Sequence, residues 1–270
     1  MQINLVNKVN NAVPHRLRRR GSLWPVLLSV FLALLAWDMT SRLTNLPAFI
    51  LPSPLQVGER FLRALSDGSL LRHTWVTFQE VVLGLIFGVT FAVFLGYLLA
   101  KSPWFERLVS PYLVASQAVP IVAIAPLLVI WFGPGMLSKV LICALIVFFP
   151  VLVNTVVGLR AVPASLRDLM RSLRASHWQV LRYLEIPATL PIFLGGLRIG
   201  ATLSVIGAVV GEFVGADRGL GFLINVGRGQ YDTALVFVAV FTLVALALSL
   251  YGGVALLESV LLSWQEWRRE

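Results

Sequence analysis

The chain has one cysteine, three histidines and thirteen acidic residues in 270, and each scarcity removes a class of function. Cys143 has no second cysteine to pair with, and His15, His73 and His177 are too scattered for a recognisable zinc or haem site. A disulfide scaffold and a metalloenzyme are therefore poor fits. Charge of both signs is sparse: 13% of residues are charged against 58% hydrophobic, a balance that excludes an ordinary soluble domain and suits a lipid bilayer. Of Lys8, Lys101 and Lys139, only Lys101 precedes a serine. Ala100 stands where a phosphate-cradling G-x-x-x-x-G-K-[ST] loop requires glycine, so no ATP site is encoded. The net charge of +9 comes from short arginine runs between long uncharged stretches, a pattern that orients a membrane protein and leaves nucleic-acid binding a remote alternative.

An ionised side chain at the bilayer centre costs roughly 2.5 to 3.5 kcal/mol on insertion scales, so charges mark where spans end. Stretches at 21–37, 81–100, 108–138, 140–159, about 190–213 and 233–257 give six expected spans, the fifth with Arg198 inside it. Asp38, Glu80, Glu212, Asp232 and Glu258 fall at span ends in this reading, which leaves no midplane carboxylate for ion coupling. Six spans put both termini on one side. Of the 22 Lys and Arg residues, seven (Arg42, Arg60, Arg63, Arg72, Lys139, Arg218 and Arg228) lie on one set of flanks and Arg198 lies within a span. The other fourteen sit at the termini, the 101–107 turn and the 160–185 loop, which places both termini in the cytoplasm. No small-residue cleavage site follows Leu35, so the first apolar run is read as an uncleaved span rather than a signal peptide.

The loop between the fourth and fifth spans is not a plain connector. Leu166, Leu169, Met170 and Leu173 recur on one helical face, with Arg167, Asp168, Arg171 and Arg174 around the rest. Ser165 with Asp168 resembles a capping box, and Ser176 with Gln179 forms a second helix-start signal. Two short helices are expected to meet at Arg174-Ala175-Ser176, the second ending before Pro187. Such an elbow has no core of its own, so its apolar stripe either lies on the membrane surface or fills a groove in a partner.

Asp168-Leu169-Met170, Arg174-Ala175-Ser176-His177-Trp178 and Leu184-Glu185-Ile186-Pro187 carry the spacing of the EAA loop, E-A-A, three residues, G, nine residues, I-x-L-P. The chain thereby resembles the binding-protein-dependent ABC importer permeases. Further matches run over roughly residues 45 to 260. They include Leu51-Pro52-Ser53-Pro54, Gln117-Ala118-Val119-Pro120, Phe148-Phe149-Pro150, Asn154-Thr155, Gly196-Leu197-Arg198-Ile199-Gly200, Gly211-Glu212-Phe213 and Gly219-Leu220-Gly221. They are most similar to the nitrate, sulfonate and taurine permease branch, which also holds permeases for pyrimidine-type vitamin precursors. Arg174 stands where the family has glycine; in a left-handed turn it adds strain of roughly 1 kcal/mol or more.

The resemblance implies an all-α polytopic membrane protein with about six transmembrane helices and a cytoplasmic coupling-helix loop. It has a basic N-terminus at 1–22, a permease domain at 23–263 with its EAA-like loop at about 160–189, and a C-terminal tail at 264–270. It implies ATPase coupling through Leu166, Asp168, Leu169, Met170, Leu173, Arg174, Ala175, Ser176 and His177. ATP and Mg would bind a separate ATPase, with no cofactor and no enzymatic activity on this chain. The implied partners are two ATPase subunits, an extracytoplasmic solute-binding protein and a second copy of this chain in the bacterial cytoplasmic membrane. A self-sufficient channel or carrier and a non-transporting scaffold are the alternatives.

Within the spans, Gln117 and Asn154 are the first candidates to contact solute, and Pro120 permits a bend. Arg198 is expected to snorkel to the cytoplasmic interface, and Glu212, with Gln117, Pro120 and Asn154 a candidate for the translocation pathway, to meet a binding protein or Arg218 near the outer end of its span. Leu220 to Val226 reads as a short re-entrant or surface-lying helix. Trp24, Trp104, Tyr112, Trp131 and Tyr251 read as interfacial anchors.

Overall fold

The computed structural model describes residues 23–43 and 47–264, and every regular element among them is helical, as expected. The basic N-terminal segment and the C-terminal tail lie outside the described residues. The chain divides into two units, Met1–Pro47 and Ala48–Glu270.

The described part of the first unit is one helix, α1 (Leu23–Leu43). It continues past the expected end at 37 because Asp38 and Arg42 pair across one turn at 2.8 Å, so neither charge breaks it.

The second unit begins with α2 (Pro54–Ser66), started by a capping box in which Ser53 Oγ accepts from the Gln56 N–H and the Gln56 side chain accepts from the Ser53 N–H. Next come α3 (Ser69–Lys101), α4 (Pro103–Gln117), α5 (Ile121–Phe132) and α6 (Met136–Arg160). The elbow follows as α7 (Ala164–Ser172), α8 (His177–Val180) and a π-helical segment (Leu181–Glu185). The chain closes with α9 (Ile186–Gly215), α10 (Leu220–Gly229) and α11 (Thr233–Leu261). Among the described residues five helices are long and apolar enough to cross a membrane, or six if the bent pair α4 and α5 counts as one.

Three expectations about these elements are corrected. The 108–138 stretch is not one continuous span: α4 and α5 meet at 96°, with Pro120 as the N-cap of α5. Proline's fixed φ and missing N–H stop the ladder there. The second span begins at Ser69 rather than 81, so His73 and Glu80 sit inside α3. The second elbow helix does not end before Pro187: α8, the π segment and α9 run on as one apolar helix from His177 to Gly215. Pro187 falls in the first turn of α9, after the wider π turn, where its missing N–H is least costly.

The centre of the second unit is α6 held between α3 and α9. Small residues let the backbones close: a Cβ on Gly84 would lie 2.2 Å from the Cys143 Cβ, and one on Gly207 would lie 2.9 Å from the Cys143 Cα. Cys143 is fully buried in this seam. Towards Lys101, Ala92 and Leu99 of α3 pack with Val147, Phe148, Val151 and Leu152 of α6 in one apolar cluster.

Candidate functional site

The elbow is built from two helix starts and one strained turn. Pro163 is the N-cap of α7, and its carbonyl accepts from the Leu166 and Arg167 N–H groups at 3.2 and 3.3 Å. The expected Ser165 capping box therefore does not form. Proline two residues earlier starts the helix first, placing Ser165 in its opening turn. Asp168 instead pairs along the surface with Arg171 at 3.4 Å.

α7 ends where the sequence put the junction. The Ala175 N–H donates to the Met170 carbonyl and the Arg174 N–H to the Arg171 carbonyl, both at 3.0 Å. This is a Schellman pattern with Arg174 in the left-handed position at φ 52°. The residue that departs from the motif's glycine thus occupies the backbone conformation glycine favours. Ser176 then caps α8 as expected, its Oγ accepting from the Gln179 N–H at 3.3 Å while the Gln179 side chain accepts from the Ser176 N–H at 2.7 Å.

No side chain of α7 is buried. Leu166, Leu169 and Leu173 are 42%, 54% and 68% exposed, and Met170 is half-buried. His177 is exposed beside Trp178 and Tyr183, and Ala175 is half-buried. The elbow's frame is nonetheless anchored. Arg167 Nη2 donates to the Leu159 carbonyl at 2.6 Å, tying α7 to the end of α6. Buried Glu185 in the π segment pairs with Lys101 at the end of α3. Arg160 and Glu106, at 2.5 Å, join α6 to α4. The motif spacing exposed the elbow's own residues but not these anchors, two of which join residues 54 and 84 positions apart.

The pathway candidates separate. Gln117 and Pro120 flank the 96° break and are exposed. Asn154 is half-buried, donates to the Pro150 carbonyl of its own helix at 2.8 Å and packs against Gly196.

Glu212 is neither at an exposed surface nor beside Arg218. It is buried, and Thr77 Oγ1 donates to its Oε1 at 2.7 Å. Its Oε2 accepts from the Gly221 N–H. The Gly219 N–H donates to His73 Nδ1 at 2.9 Å and the Leu220 N–H to Thr77 Oγ1 at 2.8 Å. Gly219 has φ 109°, and a Cβ there would meet Glu212 Oε1 at 2.1 Å. The start of α10 is thus pinned by side chains of α3 and α9, and Leu220 to Val226 is a helix with Leu220, Leu223 and Ile224 buried rather than one lying free on a surface. Glu80 lies in the same interior, its Oε1 3.6 Å from Lys139 Nζ, with both side chains almost fully buried. Sequence reasoning missed this cluster because it counted each charge alone as a span end. The available signal was one cation and two carboxylates on three apolar helices.

Arg198 has partners within the unit, towards the end of α11 that carries Glu258. Its guanidinium pairs with Glu258 of α11, Nη1 donates to Tyr251 Oη at 3.3 Å, and the group lies 4.9 Å from the Tyr251 ring centre. Tyr251 is therefore a partner within the unit as well as a half-exposed aromatic.

Residues 84–261 match the family described as binding-protein-dependent transport system inner membrane component. Over 245 residues the chain is 47% identical to the riboflavin transport system permease protein RibX of Chloroflexus aurantiacus, covering 90% of this chain and 91% of that one. It is 36% identical over 249 residues to the formylaminopyrimidine transport permease protein ThiX of Halalkalibacterium halodurans, covering 92% and 98%. A solved chain of the MetNI methionine ABC transporter in inward-facing conformations shares the fold, with a TM-score of 0.64 at 19% identity over 73% of this chain and 97% of that one. The family match spans the elbow and the helices on both sides of it, so the chain belongs to the inner-membrane components of binding-protein-dependent transport systems, the permease subunits of ABC importers.

Proposed function

We propose that two copies of this chain form the membrane path of an ATP-driven importer, which receives solute from an extracytoplasmic binding protein and releases it to the cytoplasm. Both termini face the cytoplasm, and ATP and Mg bind only to two separate ATPase subunits. The observation that carries this reading is the bare apolar stripe Leu166, Leu169 and Leu173 on a helix whose two ends are tightly specified. Burying a leucine in a partner's groove contributes roughly 1.5 to 3 kcal/mol each, so three suffice for a firm contact. Asp168, Met170, Arg174, Ala175, Ser176 and His177 complete the contact surface. Closure of the ATPases displaces α7, and the unbroken helix from His177 to Gly215 carries the displacement into the membrane. Gln117, Pro120 and Asn154 line the path. Glu212 acts beneath it by holding α10.

The cargo proposed is a nitrogen heterocycle, a flavin or pyrimidine-type vitamin or precursor, in preference to a nitrate- or sulfonate-like anion. Support comes from the names of the two relatives described above, at 47% and 36% identity. Reconstitution of the chain with its ATPase and binding protein in liposomes tests the reading, with riboflavin as the first solute. Uptake is expected only when ATP and both partners are present. Uptake by the chain alone without nucleotide would make it a carrier, and ATPase binding without uptake of any solute held by the binding protein would make it a scaffold.

A further inference from the structure

The geometry points to Arg198 and Glu258 as coupling residues of the transport cycle: a clasp between α9 and α11 that opens and closes as the elbow moves. The inference rests on the reading of α7 as the ATPase handle.

The case begins with connectivity. Arg198 stands 21 residues beyond His177 on the one continuous helix that leaves the elbow, about 30 Å along it at 1.5 Å per residue. Glu258 stands on α11, whose chain neighbours are α10 and the C-terminal tail, so nothing covalent passes elbow motion to it directly. The Arg198–Glu258 contact, with Tyr251 beside it, is the charged link between the two.

α9 is also held at its other end. Glu185, in the turn that feeds α9, is buried against Lys101 of α3, and Gly196, Gly200 and Gly207 pack closely on α6. These contacts make α3, α6 and α9 one body; α11 packs on it through buried Leu235, Val238, Ala239, Leu243 and Leu246, and beyond that apolar stretch the ion pair and cation–π contact join it to α9 near its C-terminal end.

The pair is suited to exchange. The Arg198 and Glu258 side chains retain 29% and 25% exposure, unlike the almost fully buried Lys139 and Glu80. Glu258 stands three residues from the end of α11, where a separated charge has the interface within reach, whereas separating a fully buried pair leaves charges stranded. Arg198 Nε has no hydrogen-bond partner here, so the guanidinium keeps a donor in reserve for a second arrangement. The fork of Arg198 and the ring of Tyr251 let contact be kept in part while the carboxylate is released.

A make-and-break clasp and a static brace differ under crosslinking. In the purified complex with the ATPase, cysteines replacing Arg198 and Glu258 are bridged with a reducible bis-thiosulfonate, using the wild-type chain, whose buried Cys143 is its one cysteine, as control. ATP hydrolysis is the readout, which needs no knowledge of the solute. Bridging is expected to slow hydrolysis about tenfold or more, and dithiothreitol to restore it. A bridged complex that hydrolyses ATP as the unbridged one does overturns the clasp. Should the cysteine pair cost assembly, the charge swap R198E with E258R carries the test. Hydrolysis recovered in the swap but lost in each single reversal supports the pair, and single reversals equal to wild type, or a swap no better than either, overturn it. Because α7 is unaltered in every variant, ATPase co-purification reports separately on the handle: its loss from unmodified protein refutes that reading, and its retention with unslowed bridged hydrolysis refutes only the clasp.

Discussion

Lys139 is the cation that makes the interior tolerable. It faces Glu80 across 3.6 Å, with Glu212 close enough to act electrostatically on both. Removing the ammonium leaves two carboxyl groups in a space without water access. We therefore expect Lys139→Met to destabilise the chain by about 3 to 5 kcal/mol, read as a large fall in the detergent-solubilised unfolding midpoint; an unchanged midpoint would mean the carboxyl groups are satisfied without it. Arg174 is the opposite case. Its motif position was legible because spacing alone marks it, and the structure gives it the left-handed φ that makes glycine the natural occupant. Glu212 was misjudged for the same reason as Lys139, and the partners of Arg198 were unseen for that reason too. Reading a lone charge against the bilayer predicts escape to the interface, and only the fold supplies Thr77, Gly221, Tyr251 and Glu258 as partners.

The elbow is where sequence and structure meet most closely at the level of whole elements. Ser176 and Gln179 cap α8 as their three-residue spacing requires, because both partners are local. The start of α7 was misread because Ser165 and Pro163 compete for it and proline acts first. The π segment was not legible at all: it has no residue signature of its own and follows from the need to join the elbow to α9 with Glu185 facing Lys101. Pro120 announced a bend but not its 96° size, which depends on how α5 packs against α6 through Ala125, Leu128 and Ile142. The prediction at this scale concerns the stripe. Leu169→Glu places a carboxylate at the centre of the exposed face, and the account expects it to abolish co-purification with the ATPase while membrane insertion continues. Association unchanged by this substitution would argue against docking through α7.

Taken as a whole, the second unit has a glycine-seamed body of α3, α6 and α9, an exposed handle below it and a pinned short helix, α10, set between α9 and α11. That arrangement suits a machine driven from one end by another subunit's chemistry: the handle needs a partner to bury its leucines, and the continuous α9 transmits what the partner does. The all-helical class, and five apolar helices or six counting the bent α4–α5 pair as one, were legible from hydropathy because lipid admits few alternatives. The most direct measurement is photocrosslinking from p-benzoylphenylalanine placed at residue 169 in native membranes. The account predicts an ATP-responsive adduct with the nucleotide-hydrolysing subunit, and adducts with phospholipid alone would contradict it.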